Sequence, residues 1–380
     1  MVVKEALRSV NRRDPGVCQD IRPWCREHDV PMQRLRPAEV CRRDLPVGSG
    51  DCPRGFVDQQ TFETNERSLT VIENARVKGF AGLVILPDGT FVVDYHTRNL
   101  AYVTDHPDYF QRWQPRCRKE YWPGDYLSIV SKFCREHYHW IHDVLLHLHQ
   151  VWAQLPESVR LIVPEGMTLS QRSLLEAIGV NKDRMVPLAA HVEVHVERLH
   201  FCPPIVPTRF DEPVSSDWLR DRLRGHFSPN AIRGDKKLYV SRRNAWARRV
   251  VNENDLQDVF QRCGVQVVCL EEFSQAEQAK LFAEATHVAG PHGAGLVNMY
   301  FAQPELQILE LFNDPVGDRT HYWSMAEALG HSYEYAVGDT LSNPAVCEEY
   351  RSFATTQDIV LTAQNIVEIE SFYRRPCGGN

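Results

Sequence analysis

The spacing of apolar residues along the chain changes near residue 80. Residues 1–60 are rich in Arg, Asp and Pro and only weakly periodic, which predicts an irregular arm. Beyond them, apolar runs of strand length alternate with segments of helical periodicity. The predicted strands are 126–130, 160–164, 191–201, 237–241, 265–270 and 306–312, and the predicted helices are 137–154, 170–178, 253–263, 274–284 and 356–374. This alternation indicates an α/β fold with a mainly parallel sheet.

Two local signals refine this picture. Residues 82–94 hold two apolar runs around a Pro-Asp-Gly turn, which predicts a hairpin. Prolines cluster in 202–208, where they exclude a central strand or a helix interior and predict a crossing between domains. Because 380 residues exceed what one core usually supports, we predict an N-terminal arm at 1–75 and two domains, which are 76–208 and 209–350.

Composition narrows the class of protein. A net charge of −7 argues against a nucleic-acid-coating protein, so no nucleic-acid partner is expected. No window holds 18 consecutive apolar residues, and the apolar run at the N-terminus is too short for a signal peptide. The 11 cysteines are scattered without a C-x-x-C pair, and the spacing of Cys18, Cys25, Cys41 and Cys52 matches no common zinc pattern. We therefore expect a cytoplasmic protein.

The most informative stretch is His287–Asn298, a predicted strand that breaks into glycines and then opens a helix. Gly290, Gly293 and Gly295 would let the backbone approach a ligand closely. Free N–H groups and the helix dipole favour an anion such as phosphate there, and His292 adds a donor. The spacing is neither a dinucleotide fingerprint nor a Walker loop, and a purely structural turn is the alternative.

A second stretch, Tyr239–Glu253, carries arginine pairs just past the end of a predicted strand, where open α/β sheets bind ligands. Guanidinium groups suit phosphate oxygens, so Arg242, Arg243 and Arg248 are candidate phosphate ligands. The alternative is a solvated basic loop. Asn252 and Glu253 at its end are explained as well by capping the following helix.

A third stretch, Cys134–His149, is rich in histidine. On a helix, His139, Asp143 and His147 lie one above another at i, i+4 and i+8. They could hold zinc, as in a hydrolase, or provide a base and its orienting partner, or only pack. Glu310 follows an apolar strand run and suits a sugar or ribose hydroxyl, although a surface carboxylate is an equal alternative.

Taken in this order, the three stretches resemble glycosyltransferase family 61. The resemblance rests on His-Tyr-His-Trp at 137–140, Tyr-Val-Ser-Arg-Arg at 239–243 and Gly-Pro-His-Gly-Ala-Gly-Leu-Val-Asn at 290–298, and it continues to Tyr333. The donor-binding residues that follow from the residues and the resemblance together are Arg242, Arg243, Arg248, Gly290, His292, Gly293, Ala294, Gly295, Asn298 and Glu310. Either Asp143 or His139 would be the catalytic base.

The resemblance implies an inverting enzyme of the glycosyltransferase B type, with two Rossmann-like domains facing a cleft. The C-terminal domain would hold the nucleotide-sugar donor, UDP-linked, without a metal or other cofactor. The last helix, 356–374, would cross back onto the N-terminal acceptor domain. Many relatives are membrane-tethered, so attachment to the inner face of a membrane stays open, as does the oligomeric state. The alternative is a non-catalytic nucleotide-sugar or glycan-binding protein.

Overall fold

The computed structural model describes residues 17–18, 20–48, 52–79, 81–92, 117–131, 133–203, 211–228, 230, 232, 234–313, 319–346 and 354–376. They fall into two compact units. The first takes its described residues from 1–39 and 63–207, and the second from 40–62 and 208–380. Both units are mixed α/β with parallel strand pairs, which confirms the predicted class.

The first unit is built on one mixed sheet. Its strands are β1 (Val17–Cys18), β2 (Met32–Arg36), β6 (Arg67–Glu73), β7 (Arg76–Lys78), β8 (Leu83–Ile85), β9 (Phe91–Val92), β10 (Arg118–Ser128), β11 (Arg160–Pro164), β12 (Met185–Leu188) and β13 (Val192–Phe201). Strands β13, β10, β11 and β12 are parallel neighbours, whereas β6, β7 and β8 join antiparallel. The predicted hairpin is confirmed as the β8–β9 pair, within the described residues.

The helices of the first unit are α1 (Ile21–Glu27), α3 (His137–His139), α4 (Leu146–Val151) and α5 (Leu169–Ala177). Helices α3 to α5 connect its parallel strands β10, β11 and β12, whereas α1 follows β1. A π-helical segment, Trp140–Leu145, joins α3 to α4. Helix α5 begins with a capping box in which Thr168 and Gln171 satisfy each other's backbone groups. The segment from α3 to α4 is therefore the connection between β10 and β11.

The second unit has a sheet of the order β15-β14-β16-β17-β18-β19, with β4 paired to β18. Its strands are β3 (Val40–Arg42), β4 (Val47–Gly48), β14 (Lys236–Val240), β15 (Val265–Val268), β16 (Ala285–Pro291), β17 (Gln307–Asn313), β18 (Ser332–Leu341) and β19 (Asp358–Val360). β3 pairs with β5 (Thr61–Glu63), a strand at the boundary between the two units. Strands β14 to β18 are mutually parallel. Because β15 and β16 flank β14 on opposite sides, the strand order reverses between β14 and β16.

The helices of the second unit follow the predicted alternation. They are α2 (Arg54–Asp58), α6 (Pro213–Phe227), α7 (Gln257–Cys263), α8 (Gln275–Ala283), α9 (His321–Leu329) and α10 (Ala363–Arg374), with short 3-10 helices that include Ala294–Phe301. The predicted capping box of Ser274 and Glu277 at the start of α8 is confirmed. Within the described residues, no helix is long and apolar enough to cross a membrane.

The N-terminal segment differs from the expected irregular arm. Its described residues form α1 and strands β2 and β6 of the first sheet, together with β4 on the edge of the second sheet. The apolar side chains Ile21, Trp24 and Cys25 of α1 are buried in the core of the first unit. The periodicity of this segment is therefore weak because its elements are short and belong to two different sheets.

The last helix also differs from expectation. Residues 358–360 form β19, antiparallel to β18, and α10 begins only after the capping residue Thr362. Helix α10 packs on the second unit, since Ile369, Phe372 and Tyr373 lie in its hydrophobic core. The Tyr373 hydroxyl donates to the carbonyl of Leu238 over 2.8 Å. The structure thus places α10 in the core of the second unit, and the crossing to the N-terminal domain implied by the resemblance is not confirmed.

Candidate active site

The reversal of strand order in the second unit brings two of the predicted stretches side by side. Parallel strands β14 and β16 end together, so Arg242 follows one and His292 follows the other. Ligands of open α/β sheets bind outside the carboxyl ends of the strands at such a reversal. The structure thus unites the arginine stretch and the glycine stretch at one edge of a sheet.

The three glycines of the turn serve different purposes, and their φ angles lie outside the left-handed region. A Cβ on Gly290 would approach the Val240 carbonyl oxygen to 2.7 Å, and one on Gly295 would approach Leu270 Cδ1 to 2.7 Å. These two glycines let elements of the unit pack closely. A Cβ on Gly293 would overlap Nη1 of Arg242, so only this glycine shapes the candidate site.

Two residues of the neighbouring strands hold the His292 ring in place by hydrogen bonds. Its Nδ1 is hydrogen-bonded to Oε1 of Glu310, and Oε2 of Glu310 accepts a hydrogen bond of 2.5 Å from the Tyr333 hydroxyl. Glu310 is fully buried, so its carboxyl group is turned inward. The structure therefore places Glu310 behind His292, where it holds the imidazole, and not at the surface.

Burial controls the protonation of this pair. Burial raises the pKa of Glu310 to about 8, although the bond from Tyr333 and the charges of Arg319 and Arg248 act to lower it. Burial also holds the pKa of His292 well below its ordinary value, reinforced by Arg248, Arg319 and the other cationic groups nearby. The imidazole is therefore neutral at physiological pH.

Three arginines surround this pair. Arg242 is held by Nε and Nη2, which donate to the Ala247 carbonyl oxygen over 3.3 and 3.1 Å. Burial lowers the pKa of Arg242 to about 10, so it stays charged at neutral pH. Arg319 lies 4.9 Å above the ring of Phe312, and its Nη2 donates to the Asn313 side chain over 2.8 Å.

The loop that carries Arg242 and Arg248 is pinned at both ends. Ser241 donates to the carboxylate of Glu253, and Nε and Nη2 of Arg249 both donate to Oδ2 of the buried Asp358. Arg248 itself has a φ of 57°, in the left-handed region that costs a non-glycine residue about 1–3 kcal/mol. A strained arginine in a pinned loop is a feature of binding sites.

Several predicted residues lie apart from this cluster or have another role. Arg243 is exposed, and its electrostatic partners are Cys269, Glu253 and Glu272. The amide of Asn298 is buried and donates to the side chain of Gln278 over 2.8 Å, a contact within the fold. The side-chain amide of Asn252 donates to the backbone carbonyl of Leu361 and accepts from its backbone N–H, and it does not cap the helix that follows.

The 3-10 helix Ala294–Phe301 begins beside His292. Gly293 is its first flanking residue, and among the described residues no side chain caps this end. Ala294 and Gly295 are partly exposed, whereas the rest of the helix is buried. This partly exposed start of the helix lies next to Arg242, since a Cβ on Gly293 would overlap the guanidinium group.

In the first unit, the histidine stretch is helical but not regular. The carboxylate of Asp143 accepts from Nδ1 of His139 over 2.7 Å and from Nδ1 of His142 over 2.9 Å. Burial alone would raise the pKa of Asp143, but these two hydrogen bonds hold it well below its usual range. Asp143 is therefore an ionised orienting group for two imidazoles.

The π-helical segment Trp140–Leu145 contains both His142 and Asp143. Segments of this kind occur frequently at functional sites, because the extra residue turns side chains away from the regular spacing. His147 is buried, and burial lowers its pKa to about 4. Among the described residues, no group of three or more His, Cys, Asp and Glu side chains is arranged to hold a metal ion.

Sequence reasoning missed several residues of these sites. Arg319 and Tyr333 are isolated in the sequence, and only the strand order brings them to His292. His142 was inside the predicted stretch but off its helical stripe. In the first unit, Nε2 of His200 donates to Oδ1 of Asp125 over 3.1 Å, and Asp125 also pairs with Arg198. The carboxylate lies on β10 and its partners on the adjacent strand β13, 73 and 75 residues further along the chain, so the sequence gives no local signal for this cluster.

The family comparison covers both the histidine stretch and the glycine stretch. The model of the family described as glycosyltransferase 61 matches residues 137–309, from the first residue of α3 to the residue before Glu310. No curated protein matches the chain. The family match indicates a glycosyltransferase. Over these residues it supports the resemblance to glycosyltransferase family 61 that the motifs indicated.

Proposed function

We propose that the protein is an inverting, metal-independent glycosyltransferase that uses a nucleotide-sugar donor, UDP-linked, and a glycan or other hydroxyl acceptor. One observation carries the proposal, namely the positive charge around His292. Arg242, Arg248 and Arg319 act on this one imidazole, while the nearest carboxyl group, Glu310, is kept protonated by burial. A diphosphate is the part of the donor that matches this charge.

The leaving diphosphate is the group on which charge grows during transfer. The arginines, the Nε2 side of His292 and the first N–H groups of the helix at Ala294 are fixed before the donor arrives. Fixed donors aimed at developing charge are worth about 3–4 kcal/mol each in other enzymes. They would do the work that a divalent cation does in metal-dependent transferases, which supports a metal-independent reaction.

The acceptor's proton would go to His139. Asp143 is a poor base, since both of its oxygens accept hydrogen bonds and its pKa is held low. Because Nδ1 of His139 donates to Asp143, the lone pair of a neutral His139 lies on Nε2, 3.9 Å from Oε2 of Glu136, and this nitrogen would take the proton. A base oriented by a carboxylate in this way is found in many enzymes. Of the two residues considered from the sequence, His139 is therefore proposed as the catalytic base and Asp143 as its positioning residue.

In the proposed reaction, the acceptor oxygen attacks the anomeric carbon as its proton passes to Nε2 of His139. The bond from the anomeric carbon to the phosphate oxygen breaks on the opposite face, and the nucleoside diphosphate leaves with the electron pair. Configuration at the anomeric carbon is inverted by this single displacement.

A panel of nucleotide sugars tests the proposal by thermal shift and by transfer to a glycan array. A bound donor raises the unfolding temperature with the logarithm of its concentration over Kd. Arg242→Ala and Arg248→Ala should lose this shift, while the exposed control Arg222→Ala should keep it. No shift with any donor would refute the proposal. Binding without transfer to any acceptor would favour the non-catalytic alternative.

Alanine variants of Arg242 and Arg243 also distinguish the expectation from the sequence from the expectation from the structure. The sequence alone makes Arg243 a candidate phosphate ligand alongside Arg242 and Arg248, and it predicts that Arg243→Ala abolishes transfer. Because Arg243 is exposed beside Glu253 and Glu272, we now expect a smaller loss for Arg243→Ala than for Arg242→Ala. Equal losses in both variants would place the phosphates further along the loop than proposed.

A further inference from the structure

We infer that Tyr333 and Glu310 are positioning residues that keep a hydrogen on Nε2 of His292, the ring nitrogen that donates to the donor phosphate. The inference rests on the proposed function and deepens it, because it assigns a proton requirement to the same site. It concerns residues that do not themselves contact the donor.

The geometry is a short chain of hydrogen bonds that crosses three strands. His292 follows β16, Glu310 lies in β17, and Tyr333 lies in the next strand, β18. The Tyr333 hydroxyl donates to Oε2 of Glu310, so a proton held by this carboxyl group lies on Oε1. Oε1 of Glu310 faces Nδ1 of His292. Nε2 is thus the only ring nitrogen left for a ligand.

One proton between Glu310 and His292 decides what Nε2 can do. When Glu310 holds it, Oε1 donates to Nδ1. A neutral imidazole has one N–H and one acceptor nitrogen, so Nε2 then carries the hydrogen and donates to phosphate. When Glu310 is ionised, the hydrogen moves to Nδ1 and donates to the carboxylate. Nε2 then offers a lone pair, which repels a phosphate oxygen.

The charges that face the pair all favour a neutral imidazole. Arg242 and Arg248 come from the loop after β14, while Arg319 and His321 come from the start of α9. The Tyr322 ring lies 5.2 Å from that of His292, and Phe312 stacks on it at 5.6 Å. A doubly protonated His292 would be buried among these cations. The site therefore supplies a neutral N–H donor only while Glu310 keeps its proton.

Glu310→Gln is the decisive variant, because a glutamine amide has the same shape and copies the protonated state permanently. Its N–H group donates to Nδ1, and its oxygen accepts from Tyr333. The pKa of Glu310 is about 8, so donor Kd in the wild type should rise about tenfold between pH 7 and pH 9. In Glu310→Gln, the donor Kd should stay within twofold over this range.

Tyr333→Phe is the matched second variant. The hydroxyl of Tyr333 lowers the pKa of Glu310, so its removal should move the alkaline loss of donor affinity to higher pH. A merely structural role would change affinity equally at every pH. The same loss of affinity between pH 7 and pH 9 in Glu310→Gln as in the wild type would overturn the inference.

A direct measurement needs no donor. Nitrogen NMR of the [15N]histidine-labelled wild type, with His292 assigned from the spectrum of His292→Gln, reports which ring nitrogen carries hydrogen. We expect Nε2–H at pH 6.5 and Nδ1–H above pH 8, and Nε2–H throughout in Glu310→Gln. Nδ1–H at pH 6.5 would refute the inference even if donors bind. The expected spectra without binding of any nucleotide sugar would refute the proposed function alone.

Discussion

Replacing Gly293 by alanine tests the candidate site with the smallest possible change. The backbone of Gly293 is extended, with φ −179° and ψ 159°, so alanine adopts it without strain. The new Cβ would overlap Nη1 of Arg242 and lie 2.9 Å from its Cζ. Since ordinary contacts begin at 3.4 Å and Nη1 is the closest atom, the guanidinium must retreat by more than about 1 Å, well beyond the tolerance of about 0.5 Å within which a binding group has to be held.

The loss of affinity follows from the hydrogen bonds that Arg242 can no longer make. A hydrogen bond to a charged group contributes about 1.5–3 kcal/mol, which corresponds to donor binding weaker by about tenfold to 150-fold. Isothermal titration with the donor identified by the panel measures this, and urea unfolding measures stability. We expect the free energy of unfolding to change by less than about 1 kcal/mol, because the obstacle is one movable side chain.

Two further variants control for the mutation itself. Gly225 lies in α6 with open space around it, so Gly225→Ala should stabilise the helix by about 0.5–1 kcal/mol and leave donor binding unchanged. In an Arg242→Ala background, Gly293→Ala should have little additional effect on affinity. Binding by Gly293→Ala within twofold of the wild type would show that Arg242 does not hold the donor. A full additional loss in the double variant would show that the glycine acts by another route.

Three other predictions address the rest of the molecule. Asp143→Asn should lower kcat by about 10²-fold or more, with little change in donor Kd, because His139 loses its orienting charge. An unchanged kcat would show that Asp143 and His139 take no part in the reaction. Tyr373→Phe should lower the free energy of unfolding, measured by urea denaturation, by about 1–3 kcal/mol, since the buried carbonyl of Leu238 loses its hydrogen-bond donor. No change would mean that a water molecule replaces the hydroxyl as donor. Arg198 holds the pKa of Asp125 at about 2, so this carboxylate stabilises the fold above pH 4 and the stabilisation is lost as pH falls toward 2. Asp125→Asn should flatten that part of the pH–stability curve, and a curve identical to the wild type would contradict the assignment.

The sequence predicted most of the second unit because its elements are locally encoded. The strands at 237–241 and 306–312 and the helix at 274–284 are continuous periodic runs with clear ends. The N-terminal segment was harder, since β2 and β4 are short and belong to different sheets. Their stability comes from distant partners, which a window of neighbouring residues does not contain.

In the candidate site, too, some features are encoded locally and others depend on distant strands. Arg242, Gly293 and His292 stand in recognisable motifs, and the strand order then places them together. Glu310 was recognised, but its direction was not, because burial and the bond to Tyr333 depend on two neighbouring strands. Periodicity can mark a residue as chemically capable without showing which way it faces.

The second unit is formed by two segments that are far apart in the sequence, and this affects how it folds during synthesis. Strand β4 at Val47–Gly48 pairs with β18 at Glu334–Tyr335, and the core is closed by α10 near residue 373. A ribosome adds about 5–20 residues per second, so β4 waits roughly 15–60 seconds for its partner to appear. During that interval its open edge can pair with another nascent chain. We would expect this unit to depend on chaperones more than the first, whose strands have partners made sooner.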